Sequence, residues 1–531
     1  MNGKQLLKCT GSWLMLTTQL LVIPITGYPQ SPAFDITPIV KRGDPSPDGG
    51  RFFGCDDCEG GLLGYRSFND SGDAALFADT EGQCFDGAFL VSASGSVVLA
   101  DLCRPTEFGR FSFRGLANVN DRGQASFQAG PVVAGRIVEM LFLYSDGHIT
   151  KIVAEGDPTP VGTIFRGCGL SEPSINNSGE VAFGACNDNG QSLFRDGIFL
   201  FSKGVVSKVV TDADPTPLGG EFALNFFPPI DPRLNNNGDV LFRAGVRINP
   251  AIKEKFGLFL STASGTRKIE VDGDAMPGGG VVKLGTMGLG DLNDNGEVAF
   301  IVALTGGQAD GGIFLDSSGQ LSKIMAAGDR TPIGGTFDKF FGGSGSRPEP
   351  LPRLNNNGAV AFKAFVDDGS APHAIFLASP KAMVKVVAAG DRLPTGETIR
   401  LLDSFALNDL GQVAFFAYKK RNKTQPLGLY VATPVTPQIS SIKLKRKRGR
   451  VELRVNGNAM ITNDTMIEID GVPLDAISYP AEFRENGGTT TRVVSRDSRL
   501  EEFLASGQTV WVTAYNPLTN LRSAPAAFTR E

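Results

Sequence analysis

Six aspartates stand at recurring places along the chain. Asp44, Asp157, Asp274, Asp329 and Asp391 each follow a glycine, and Asp214 follows Ala213. A proline and one or more glycines come shortly after each. Carboxylates gathered on one surface can bind cations or a basic partner, and a pair of them can hydrolyse glycosidic bonds. The same residues can instead cap backbone amides in the turn that leaves a strand. A ligand rarely needs six copies of one residue, so the local role is the first expectation and a ring of rim acids the functional one.

A second set of oxygen side chains invites a calcium reading. Asn293-Asp-Asn-Gly-Glu297 and Asn235-Asn-Asn-Gly-Asp239 alternate oxygen ligands and end in glycine. Asn355-Asn-Asn-Gly-Ala359 lacks the acid yet keeps the rest, so the motif serves geometry. No cofactor is expected, calcium being the one ion these turns could take. Six cysteines, Cys55, Cys58, Cys84, Cys103, Cys168 and Cys186, lie in the first third of the chain after a leader that holds Cys9. Cys55-Asp-Asp-Cys58 has neither the adjoining helix start of a redox pair nor the second pair of a zinc site. An even cysteine number in an exported chain predicts disulfides. Only two histidines exist, His148 and His373, and no G-x-S-x-G, His-x-x-x-His or phosphate loop is present. The basic run Lys443-Leu-Lys-Arg-Lys-Arg-Gly-Arg450 reads as a solvated hairpin turn.

These residues are positioned by a repeat. Asparagines at Asn69, Asn120, Asn176, Asn235, Asn293, Asn355 and Asn408 recur at intervals of 51 to 62 residues. Three positions on stand Gly72, Gly123, Gly179, Gly238, Gly296, Gly358 and Gly411, and seven positions on stand Phe127, Phe183, Phe242, Phe300, Phe362 and Phe415. In the first unit Phe77 is displaced by one. Asparagine bonds its own chain and glycine takes the positive φ of a tight turn, so each motif is a hairpin. Val-Ala-Phe after it is a buried strand. Gly197-Ile-Phe-Leu200, Gly257-Leu-Phe-Leu260, Gly312-Ile-Phe-Leu315 and Ala374-Ile-Phe-Leu377 mark a third strand. A fourth, such as Leu321-Ser-Lys-Ile-Met325, ends at the Gly-Asp pair.

Four antiparallel strands per unit and seven units predict an all-β fold, a seven-bladed β-propeller over residues 34–432. The seventh unit stops at Gly428-Leu-Tyr-Val431 without its Gly-Asp strand, and the N-terminus has one spare, Ile39-Val-Lys-Arg-Gly-Asp44. Supplying it would close the ring and leave no open edge there. The excess of phenylalanine, 37 against 7 tyrosines and 2 tryptophans, is then the packing between blades. The units, over about residues 36–432, resemble the NxxGxxAF tandem repeats of exported bacterial proteins, a resemblance that implies no activity. The first unit departs from it, with Asp101-Leu-Cys103 in place of Ala-Gly-Asp.

Residues 436–531 alternate apolar and polar positions in strands near 439–444, 450–456, 466–470, 492–495 and 510–514, which suits a small β-sandwich. Val455-Asn-Gly457 and Ile469-Asp-Gly471 carry a resemblance to the immunoglobulin-like TIG (IPT) modules. Residues 1–33 read as a signal peptide: Lys4 and Lys8, an apolar run from Trp13 to Ile25, then Pro24 and Gly27. That run is short for a membrane span, which predicts a secreted or cell-surface chain. A net charge of −5 over 531 residues gives no reason to expect nucleic acid.

Strand direction puts the asparagine turns on one rim. The Gly-Asp ends and the variable loops 186–195, 246–255 and 417–427 fall on the other, and variable loops on a rigid scaffold are where binding residues collect. The expected function is non-catalytic binding of a carbohydrate or protein on that second rim. A propeller enzyme acting on polysaccharide, hydrolase or lyase, is one alternative, and a purely structural surface protein is another. A deep axial pocket with clustered acids would favour the enzyme, and an axis filled by side chains would count against it.

Overall fold

A computed structural model describes residues 33–530, apart from 55–60, 82–85, 93, 102–104, 189–194, 225–230, 249–253, 284–289, 339–350, 422–424, 448–449 and 480–486. The signal-peptide reading and Cys55, Cys58, Cys84 and Cys103 lie outside the described residues. Among the described residues no helix is long and apolar enough to cross a membrane.

The described residues between 34 and 434 form seven antiparallel sheets. The fifth shows the plan. A first strand in two pieces, Val281–Val282 and Asp291–Leu292, is followed by Val298–Thr305, Gly311–Ser317 and Gln320–Ala326. Short hairpins join neighbours, so each sheet is built from one local stretch of chain. The exception is the seventh, where Leu401–Leu407, Val413–Tyr418 and Pro426–Pro434 are completed by Phe34–Lys41 from the other end of the chain. Phe34 pairs with Pro434 and Lys41 with Gly428. The spare strand therefore lies where the repeat arithmetic put it, although it starts five residues before Ile39.

Phenylalanine holds each sheet to the next. The phenylalanine after the asparagine turn pairs across the ladder with the one in the third strand: Phe183 with Phe199, Phe242 with Phe259, Phe300 with Phe314 and Phe362 with Phe376. Ring centroids in these pairs lie 5.6 to 6.2 Å apart, and all eight rings are fully buried. The first unit differs from the expectation: Leu76, seven residues after Asn69, fills the core position opposite Phe89. Phe77 faces the other side because side chains alternate along a strand. Ahead of the third-strand phenylalanine the register slips at the same place in six sheets, as between Ile313 and Phe314. A repeated bulge of this kind increases local twist.

The C-terminal residues make two more antiparallel sheets. Gln438–Lys447, Arg450–Ile461, Thr489–Ser495 and Ala476–Tyr479 form one; Met466–Ile469, Val472–Leu474, Thr509–Asn516, Leu521–Arg522 and Ala526–Thr529 form the other. They share a core that includes Leu453, Val455, Ile467, Ile469, Val493 and Val512. Most of the basic run belongs to the strand Gln438–Lys447 rather than to a turn, because its alternate positions Ile442 and Leu444 pack on that core. The unit is not joined to the rest by a loose linker. Ile461 and Leu518 enter the core of the sixth and seventh sheets. The Lys385 amide donates to the Gly487 carbonyl and the Gly487 amide to the Pro332 carbonyl.

Candidate functional site

Two rims are distinguished by how their turns are held. On the first, each asparagine closes its own hairpin: the Asn293 side-chain oxygen accepts the amides of Asn295 and Glu297 at 3.0 and 2.9 Å. Gly296 takes the positive φ, +73°, that lets the chain reverse there. The same side chain then reaches outward. Asn69 Nδ2 donates to the Asn120 carbonyl, Asn120 to Asn176, Asn176 to Asn235, Asn235 to Asn293, Asn293 to Asn355, Asn355 to Asn408, and Asn408 back to Asn69, at 2.8 to 3.3 Å.

The next residue of each turn makes a second closed circuit. The amides of Asp70, Asp121, Asn177, Asn236, Asp294, Asn356 and Asp409 each donate to the side-chain Oδ1 of the following member, at 2.7 to 3.0 Å, and Asp409 donates to Asp70. The first circuit satisfies buried carbonyls that a hairpin alone would leave without a partner.

Inside these circuits is an axial cavity of about 70 Å³ bordered by Asp70, Asp121, Asp291, Asp294 and Asp409. Arg66 of the first sheet crosses it, its guanidinium donating to the Leu292 carbonyl and lying 3.9 Å from Asp291 Oδ1. Burial, together with Asp70 and Asp294, pushes the Asp409 carboxyl up to about 6, although the Asn356 amide and Arg66 oppose the rise. Burial and Asp121 raise Asp70 as well. A cavity of this size has room for about two waters and none for a saccharide. No group of three or more histidine, cysteine or acidic side chains among the described residues is placed to hold a metal ion.

The opposite rim is built from separate local hairpins. Each predicted aspartate accepts the amide three residues before it, as Asp329 does from Ala326 and Asp391 from Ala388, both at 2.8 Å. Asp157, Asp214 and Asp274 accept from Ala154, Thr211 and Val271, and Asp44 from Lys41. Five of the six also bind a lysine six residues earlier: Lys151–Asp157, Lys208–Asp214, Lys268–Asp274, Lys323–Asp329 and Lys385–Asp391, at 2.5 to 3.0 Å. Beside Asp274, burial and the neighbouring carboxylate push Glu270 up to about 9, so Glu270 stays protonated at neutral pH and can share its proton with Asp274.

Each hairpin ends in a buried apolar anchor eight residues after the aspartate: Phe52, Phe165, Phe222, Val282, Phe337 and Ile399. Neither the lysine nor the anchor was anticipated, yet both spacings are visible in the sequence once the aspartates are aligned.

The sixth aspartate, Asp44, stands apart. Pro38 occupies the place of the paired lysine, and Lys41 lies 4.0 Å away. Here the closing strand and the seventh sheet enclose a pocket of about 580 Å³ lined by Lys41, Arg42, Asp44, Arg51, Thr395, Glu397, Lys419, Gln425, Pro426, Leu427 and Tyr430. The Thr395 hydroxyl, with Lys419 nearby, holds Glu397 below the usual carboxylate range. Asp44 and positions 419 and 425–427 lie far apart in the sequence and meet in one pocket at the closing sheet.

An all-β ring of sheets closed by its own N-terminal strand is a β-propeller. Residues 26–344 and 175–447 match a family of unknown function, DUF7453, and the chain belongs to that family. No curated relative matches it. Among solved structures it is similar to the β-propeller domain of the Trilobed protease from Pyrococcus furiosus, with 7% identity and a TM-score of 0.42 over 70% of this chain and 95% of that one. The polysaccharide lyase Uly1 matches with 8% identity and a TM-score of 0.36 over 72% and 90%. The gluconolactonase XC5397 from Xanthomonas campestris matches with 9% identity and a TM-score of 0.26 over 58% and 82%. At these values none of the three lends its activity to this chain.

Proposed function

We propose that this chain is an exported seven-bladed propeller, followed by an immunoglobulin-like sandwich, that binds a carbohydrate or protein ligand without turning it over. The observation that carries this reading is the pocket of about 580 Å³ on the rim of the Gly-Asp hairpins, a size usual for ligand sites. It lies where the repeat is interrupted and where the N-terminal strand meets the seventh sheet. Export rests on the leader sequence and on the cysteines. Cys168 lies in the strand Ile164–Leu170 and Cys186 in the neighbouring strand Val181–Asp188, a placement that a disulfide of an exported chain would use.

A hydrolase or lyase would need its acid at the substrate. Asp409, whose carboxyl is pushed up to about 6, borders the small axial cavity crossed by Arg66, which counts against catalysis there. The test is incubation of the full mature chain with a panel of polysaccharides and candidate proteins. Retention without shortened products is expected, and release of oligosaccharides would overturn the reading.

A further inference from the structure

We infer that the pocket at the closing sheet receives a carboxylated sugar, a uronate unit of an acidic oligosaccharide. The inference rests on that pocket being the ligand site. Its lining carries four cations, Lys41, Arg42, Arg51 and Lys419, and two carboxylates, Asp44 and Glu397. Four positive minus two negative charges leave +2, in a chain whose net charge is −5.

The departure from the repeat is what singles the pocket out. At the other five hairpins one lysine and one aspartate neutralise each other at 2.5 to 3.0 Å. Here Asp44 is 4.0 Å from Lys41 and spends one carboxylate oxygen on the Lys41 amide at 2.8 Å. Arg51 also reaches the Gly43 carbonyl at 3.5 Å, so one of the four cations ties the hairpin while lining the pocket.

The remaining polar lining suited to hydroxyl groups is Thr395 and Gln425; the Tyr430 phenol is buried and bonded to Thr395. Gln425, at the lip, is held at φ +61°. A left-handed backbone costs a residue other than glycine roughly 1 kcal/mol or more and gathers at ligand sites. Apolar lining is limited to Pro426, Leu427 and part of a Tyr430 that is only 1% exposed. A peptide would want apolar pockets for alternate side chains, whereas a sugar acid asks for cations at its carboxylate and hydrogen-bonding groups at its hydroxyls.

The test is calorimetric titration of the full mature chain, at low salt, with trigalacturonate, with maltotriose as its neutral counterpart and with triglutamate as an acidic peptide. Trigalacturonate is expected to bind, the other two at least about tenfold more weakly. Arg51→Gln and Lys419→Gln are each expected to weaken trigalacturonate by about tenfold with Tm unchanged. Thr395→Trp, at an exposed position, should fill the pocket and abolish binding. Equal binding of maltotriose, or tighter binding of triglutamate, lost in Thr395→Trp, would overturn the uronate assignment and leave the pocket as the ligand site. Binding that survives Thr395→Trp would overturn both. Failure of trigalacturonate to bind would overturn the uronate assignment alone.

Discussion

The two rims use the same raw material, a tight turn with a polar side chain at its head, and do opposite things with it. On the asparagine rim each side chain reaches the next sheet, and two circuits of seven hydrogen bonds return to their start. On the aspartate rim each carboxylate turns back on its own strand, accepting an amide three residues away and, in five cases, a lysine six residues away. One rim joins the sheets through its turn side chains; on the other the aspartates bond within their own hairpins, although a hairpin backbone still reaches its surroundings, as Pro332 does Gly487. A turn held by its own aspartate can change at one sheet without breaking a circuit, and the seventh sheet shows such a change.

The contrast can be broken most severely at the closing strand. Deleting residues 34–41 strips Pro426–Pro434 of its partner and removes Phe34 and Val40 from two cores. A cooperative thermal transition is expected to be lost, and an unchanged Tm would mean that the ring is held elsewhere. Next in size is Phe362→Ala, which empties a fully buried site between Phe337 and Phe376. It should cost about 3–5 kcal/mol by denaturant unfolding, whichever rim is nearer.

The asymmetry itself is read by a pair. Asn293→Ala leaves the buried Asn355 carbonyl and the turn amides without their partner and should cost about 1–3 kcal/mol. Asp329→Ala removes a surface ion pair and one capped amide and should cost about 1 kcal/mol or less. Comparable losses would erase the distinction.

The smallest effect is Asp409→Asn. The folded carboxyl titrates at about 6, above the ordinary 3.8. Its contribution to stability is therefore fully present below about pH 4 and is lost as pH rises through 6. Asparagine already occupies the equivalent places at 177, 236 and 356. The variant should gain roughly 1 kcal/mol or less at pH 7 and nothing at pH 4. A gain at pH 4 alone would reverse the sign.

Much of the fold was legible because its information is local. Asn293 and Gly296 specify a turn, Phe300 a core position, and the missing fourth strand after Val431 a partner that only residues near Ile39 could supply. Other features needed the third dimension. The asparagine side chain announces that it caps its own turn, but nothing in one unit says that its amide reaches the next. Arg66 has no repeat counterpart to mark it as the residue that crosses the axis. The rim pocket combines positions 41–51 with 395–397, 419 and 425–430 of the seventh unit, and only ring closure brings the first to the rest. The Lys–Asp spacing of six and the apolar anchor at eight were present in the sequence and would have shown the aspartates to be locally paired.

Coupling across the asparagine rim is tested most directly by amide hydrogen exchange in the full chain, compared with Asn293→Ala and Asp329→Ala. The amides of Asn236 and Asp294 are bonded across sheets. In Asn293→Ala they should exchange faster together with the matching amides of Asn177 and Asn356, while Asp329→Ala should expose only its own hairpin, chiefly Ala326. Acceleration confined to the fifth sheet in Asn293→Ala, or spreading around the ring in Asp329→Ala, would contradict the account.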